Sequence, residues 1–435
     1  MIARVGAAVL SAALLGAPPA GAATAPIPPA SDPAALAALD PAPDGVPGAR
    51  RLAPCPAATP PAPSGLGIGD LPPGPDPAAA WTDGRGEGQT VAVIDTGVAE
   101  HPRLGGRVVD GGDFVAGAAG TDDCDGHGTA VAGLLAAAPA PGDLLVGVAP
   151  GARVLAVRQT SAFYGVDGQT GVGDVATLAR AVRHAAETPG VGVLSLALAA
   201  CRTPAEVADP ADAPALGALR AAVRDAVDRG VVVVAAAGNT GPGCAPNAGG
   251  EVRSVPVPAW FGDDVLVVGA VDDAGAPDRS SLAGPWVDLA APGRAPSSLA
   301  ARGDGLTTAL TAPDGANAPL VGTSFAAARV AGAAALLRAR DPGTPAREIA
   351  AALVRSAAPT PGLAPGTRDD AVGYGVLDAA AAVRGGPPRT GPEVHPAAAA
   401  GAPPSEEAPV GWIVGGALVA AMAAGVVVLR RRTRR

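Results

Sequence analysis

The chain has 435 residues, a formal net charge of −9, 61 glycines, 48 prolines and no lysine. Its length admits one large α/β core with smaller flanking segments, and an acidic balance with no basic patch before the C-terminus argues against a nucleic-acid partner. Arginine as the sole strong base, with so much Ala and Gly, points to a GC-rich coding sequence rather than to an activity.

In chain order, residues 1–22 read as a signal peptide. Arg4 supplies the positive start, Val5 to Leu15 an apolar stretch, and Ala20-Gly21-Ala22 an A-x-A cleavage site. The apolar stretch is too short to span a bilayer. Residues 23–80 are rich in Pro, Ala and Gly. Proline at that density works against regular helices and sheets, so an extended arm lying on the following domain is expected.

From 81 to 384 strand and helix patterns alternate. Apolar strand candidates are 90–94, 153–157, 191–198, 231–237 and 265–271; helices are expected near 127–137, 174–187, 214–229, 325–340 and 345–357. Such alternation implies right-handed crossovers and a mostly parallel sheet in a three-layer α/β/α sandwich. In sheets of that kind the site lies beyond the carboxyl ends of the strands. A Pro/Ala-rich linker covers 385–409, and 410–429 is an uncharged run of twenty residues. As a helix it would be ~30 Å long, the hydrocarbon thickness of a bilayer. Trp412 lies at its outer edge, and Arg430, Arg431, Arg432, Arg434 and Arg435 follow. The positive-inside rule then puts 430–435 in the cytoplasm and the main domain outside.

Three stretches carry chemistry. Val91-Ala92-Val93-Ile94-Asp95-Thr96-Gly97 is a buried apolar strand ending in a carboxylate. Asp125-Gly126-His127-Gly128-Thr129 opens a small-residue helix with a histidine, and Val321-Gly322-Thr323-Ser324-Phe325-Ala326 puts a serine at a loop-to-helix junction. Backbone N–H groups at a helix start favour developing negative charge. A serine hydroxyl is a poor nucleophile until an imidazole takes its proton, and a buried carboxylate fixes that imidazole's tautomer.

In this order the three stretches resemble the DTG, HGTxVAG and GTSxA signatures of the subtilases. The resemblance implies a subtilisin-like fold and a serine endopeptidase working through an acyl-enzyme, in which Asp95 orients, His127 acts as base and acid, and Ser324 attacks. It assigns Asn239, after the apolar run Val231 to Ala237, as oxyanion donor. It gives Ser195, Leu196 and Ala197 as the substrate edge, where mostly apolar residues replace the usual polar ones. Ala328 stands where the family usually has proline, a change a helix tolerates.

The four cysteines, 55, 124, 201 and 244, allow three pairings. Export favours disulfides, and no CxxC spacing suggests zinc. Cys201 and Cys244 each follow a probable sheet strand and could be neighbours, leaving Cys55 for Cys124. These spacings are similar to those of the mycosins, membrane-anchored subtilases associated with type VII secretion. That likeness implies a protein or peptide substrate, a membrane contact and a secretion-complex partner.

An aspartic protease would need a second Asp-Ser/Thr-Gly, and a zinc protease an HExxH; the chain has neither. His101, His184 and His395 have no partners that suggest ligation, so no metal or cofactor is expected. The rival reading is a subtilase-fold subunit that braces a secretion complex, with proteolysis accessory.

Overall fold

The structure is a computed structural model that describes residues 25–57 and 77–385. The expected signal peptide (1–22), membrane helix (410–429) and arginine tail (430–435) lie outside the described residues, as does the linker beyond 385. Among the described residues no helix is long and apolar enough to cross a membrane.

Seven strands form the central sheet: β1 (Thr90–Asp95), β2 (Val108–Asp113), β3 (Arg153–Arg158), β4 (Val191–Leu196), β5 (Val232–Ala236), β6 (Leu266–Val271) and β7 (Leu289–Pro292). Their order is β7-β6-β5-β4-β1-β3-β2. Every neighbouring pair runs parallel. Strands buried on both faces read as continuous apolar runs; Val91, Ala92, Val93 and Ile94 of β1 are all fully buried.

The long helices are α1 (His127–Ala136), α2 (Val175–Glu187), α3 (Ala213–Asp228), α4 (Thr323–Arg340) and α5 (Ala346–Ser356). α1 packs with α4, α2 packs with α3, and both pairs contact the central strands. α2 opens with a capping box, in which the Asp174 carboxylate accepts from Thr177 N at 2.7 Å and the Thr177 hydroxyl from Asp174 N. α4 runs unbroken through Ala328, which is fully buried.

The five expected strands form. The two outer ones, β2 and β7, were not expected, and both break the apolar pattern. β2 carries Asp110, Gly111, Gly112 and Asp113, and its register against β3 shifts between Asp110 and Asp113. β7 is four residues ending in Pro292, which an edge strand accepts because one side needs no ladder donor. β4 stops at Leu196 rather than 198, because Ala200–Arg202 turns away to pair antiparallel with Val255–Val257.

Residues 25–57 lie along the domain, and guanidinium groups hold their carbonyls. Arg220 reaches Pro28 O and Pro29 O, Arg183 reaches Leu36 O and Leu39 O, and Arg180 reaches Asp40 O, Ala42 O and the Asp44 carboxylate. Trp260 Nε1 donates to Pro26 O at 2.8 Å. Contrary to expectation the arm is not wholly irregular. Pro33–Ala38 is a short helix whose first turn is compatible with Pro33 and is capped by Asp32. Arg50–Arg51 pairs with the strand Ser161–Val166. Cys55 is bonded to Cys124, and Cys201 to Cys244.

Candidate active site

Asp95 is the last residue of β1, near the middle of the sheet, and 1 % exposed. Its Oδ1 accepts from Thr96 N at 2.7 Å and lies 2.7 Å from His127 Nδ1. The geometry puts the imidazole proton on Nδ1 and leaves Nε2 as the basic nitrogen. His127 opens α1, where Gly128 allows a close approach: a Cβ there would lie 2.0 Å from Gly97 O.

A second carboxylate, Asp123, ties these two elements together. It is fully buried and accepts from Thr96 Oγ1 (2.9 Å), Gly126 N (2.8 Å), Thr129 N (2.9 Å) and Thr129 Oγ1 (2.6 Å). Thr96 Oγ1 in turn accepts from Gly128 N at 2.9 Å. The end of β1 and the start of α1 are thereby fixed to one another through a single side chain. The sequence reading missed Asp123; its signal is the run Asp122-Asp123-Cys124-Asp125 just before the glycine and histidine.

Electrostatics at this end of the sheet are strongly acidic. Burial lifts Asp125 to about 7; its bond from the Ser161 hydroxyl opposes that, and the neighbouring Asp123 and Asp95 charges add to it. Burial likewise raises Asp123, against its four hydrogen bonds. For His127 burial works against the charged form. The attraction and hydrogen bond of Asp95, with help from Asp123 and Asp125, outweigh it and set the imidazole above its ordinary value.

Ser324 is the second residue of α4 and 4 % exposed. It is not the N-cap; that is Gly322, at φ 153°, and a Cβ there would come 3.0 Å from Asn239 Nδ2. The residues on either side of Ser324 fix its surroundings. Thr323 donates N–H (2.9 Å) and Oγ1–H (3.1 Å) to Asn239 Oδ1, and the Phe325 ring lies 5.5 Å from the His127 ring. Asn239 follows β5, so its Oδ1 is anchored on the start of α4 while its amide Nδ2 is the end left to donate. Asp95, His127, Asn239 and Ser324 thus converge beyond the carboxyl ends of β1 and β5.

Ser195 and Leu196 lie inside β4, paired to β1 and β5 on either side, and both are fully buried. Ala197 is the first residue past that ladder and 1 % exposed. Contrary to expectation, Ser195 and Leu196 are therefore committed to the sheet, and of the three only Ala197 lies past its ladder. A wall the sequence did not reveal stands on the histidine side. The antiparallel pair Ser298–Leu299 and Leu306–Thr307 leads into Ala309–Thr311, and Leu310 and Ala301 lie against Gly126. His101 sits under this wall with Nε2 3.0 Å from Gly305 O. His184 packs edge-on to Phe114 at 5.7 Å.

Comparison with known proteins agrees with this arrangement. The Subtilase family matches residues 86–375. Mycosin-4 of Mycobacterium tuberculosis (strain ATCC 25618 / H37Rv) is 49% identical over 314 residues, covering 70% of this chain and 66% of that protein. A solved serine protease, MycP1, described as an essential component of the type VII (ESX-1) secretion system, is 36% identical with a TM-score of 0.70. The match covers 82% of this chain and all of that one. A chain in the periplasmic assembly of the ESX-5 inner membrane complex is also 36% identical with a TM-score of 0.70, over 90% of this chain and 100% of that chain. On its sequence, its parallel sheet and these likenesses, the chain belongs to the subtilase family of serine endopeptidases, among the mycosins.

Proposed function

We propose that the chain is a membrane-anchored, extracytoplasmic endopeptidase of a type VII secretion complex, with Ser324 as nucleophile, His127 as general base and acid, Asp95 as its orienting carboxylate and Asn239 as oxyanion donor. The observation that carries the reading is the 2.7 Å Asp95–His127 bond, on an imidazole packed against the residue that follows Ser324. Nε2 takes the Ser324 proton as Oγ attacks the scissile carbonyl. Asn239 Nδ2, with the N–H groups at the start of α4, receives the charge that develops on the carbonyl oxygen. His127 then protonates the leaving amine, and water repeats the sequence to release the acyl group. The substrate is a protein or peptide, laid along the main chain beyond Leu196.

The 410–429 segment and the arginines after it supply the anchor, with the domain outside and the tail inside. A membrane-impermeant reagent added to intact cells is expected to label residues of 81–384 and to spare 430–435; tail labelling would overturn the topology. A second reading has its own support, because a similar chain sits within the ESX-5 periplasmic assembly: the subunit braces the complex and the cut is accessory. Cells carrying Ser324→Ala and cells lacking the chain separate the two. Equal failure of secretion makes the cut essential. Normal secretion in the point mutant alone makes bracing the essential role.

A further inference from the structure

Away from the candidate site, a cavity of about 470 Å³ opens between helix α5 and the amino ends of β5, β6 and β7. The strands are parallel, so this is the opposite pole of the sheet from Asp95 and Asn239. From Val232 to Asn239 the chain advances roughly 20 Å at a strand's rise per residue. The cavity has the size of an ordinary small-molecule site. Its walls are apolar: Val232 and Leu266 from the sheet, Ala350 and Val354 from α5. The lining brings four carboxylates (Asp263, Asp264, Asp288 and Glu348) against two guanidiniums. Both guanidiniums are engaged at the rim, Arg347 with Asp264 at 2.5 Å and Arg355 with Glu348 at 2.9 Å.

Asp288 is the odd member. It precedes β7, and its Oδ2 accepts from Val267 N at 2.8 Å, while Oδ1 takes no hydrogen bond among the described residues. Burial lifts this carboxyl to about 7, with the Val267 amide and Arg368 pulling the other way; the side chain is partly exposed and has no ion-pair partner among the described residues. An anion would meet three or more like charges here. A neutral apolar guest would leave Oδ1 unpaired and desolvated, which is costly. A metal ion would need more ligands than the cavity offers, since no group of three or more His, Cys, Asp or Glu suited to an ion occurs among the described residues.

We propose that this cavity binds a small organic monocation, an amine with an apolar body, with its ammonium on Asp288 Oδ1 and its hydrocarbon against α5. The site is separate from the peptide-cleaving end, so occupancy leaves hydrolysis unchanged. The test titrates the purified full-length chain with phenylbutylamine and, separately, with the neutral phenylbutanol, following binding by calorimetry. The amine is expected to bind at least about tenfold more tightly than the alcohol, the margin of one charge-assisted hydrogen bond. Asp288→Asn keeps an acceptor for Val267 N and should erase that margin. Ala350→Phe, which fills the cavity from the helix side, should abolish binding of both, and unchanged peptide hydrolysis reports that each variant is folded. Absence of amine binding at millimolar concentration, equal binding of amine and alcohol, or indifference to Ala350→Phe would each overturn the proposal.

Discussion

Asn239 offers two different atoms, one to the fold and one to the proposed reaction, and a pair of substitutions separates them. Oδ1 accepts from Thr323 N at 2.9 Å and from Thr323 Oγ1 at 3.1 Å, which makes it a structural cap on α4. Nδ2 is the proposed oxyanion donor. Asn239→Asp keeps an acceptor for Thr323 and puts a negative charge at a helix start, where it is welcome, so the fold should be as stable as before. It replaces the donor with a like charge facing the oxyanion, so kcat should fall by at least the about 10²–10³ (about 2.7–4 kcal/mol) that removal of one donor costs. Asn239→Ala loses both atoms. Its kcat should fall by about 10²–10³, and loss of the cap should cost about 1 kcal/mol of stability, a Tm shift of a few degrees in a domain of this size. Steady-state hydrolysis of a fluorogenic peptide and scanning calorimetry on the same preparations read both quantities. An Asn239→Asp protein with wild-type kcat would refute the donor role. A large Tm loss in Asn239→Asp would refute the cap.

Because Asp95 holds the His127 imidazole above its ordinary value and the base must be neutral, kcat/KM should rise with pH through an inflection above about 6.5. Asp95→Asn should move that inflection down and cut kcat about 10⁴-fold; an unmoved inflection argues against the pair. For stability the sign is the reverse. Charged His127 favours the fold below the unfolded value near 6.5, and that contribution is lost as pH rises through the raised one. Arg158 and Asp113 form a fully buried ion pair at 2.5 Å, with Arg158 4.7 Å over the Tyr164 ring; Asp113→Ala should cost about 3–5 kcal/mol in denaturant unfolding, and a loss below about 1 kcal/mol would show the charge is relieved elsewhere. A protease site inserted between Ala57 and Pro77 should, once cut, leave residues 25–57 attached on a non-reducing gel, because the Cys55–Cys124 bond spans 69 residues. Cys55→Ser should lose up to about 4 kcal/mol in the chain-entropy picture. Release of the arm without reductant would contradict the arrangement.

The sequence made the inner sheet plain because its strands are buried on both faces, so Val91 to Ile94 and Val232 to Val234 are unbroken apolar runs. It hid β2 and β7 for the opposite reason. A strand at the margin can carry Gly111 and Gly112 unpaired across a register shift, or end in Pro292, and still pair on its inner side. The candidate site was legible as motifs, since Asp95, His127, Asn239 and Ser324 each stand in a short distinctive stretch. The network behind them was not. Asp123 is one of three aspartates in four residues, and only the fold shows that it bridges Thr96 to Thr129 while Asp125 turns to Ser161. The wall from 298 to 311 was illegible because its scattered Leu, Thr, Ala and Gly residues carry no periodicity, and its position over Gly126 comes from tertiary packing alone.

In the proposed mechanism Ser324 is a nucleophile activated by His127. Treating the purified chain with a fluorophosphonate and mapping the adduct by mass spectrometry tests this without knowledge of the natural substrate. One adduct is expected, on Ser324, lost in Ser324→Ala and slowed by orders of magnitude in His127→Ala. No adduct on folded protein, an adduct at another residue, or labelling of Ser324 at an unchanged rate in His127→Ala would contradict it.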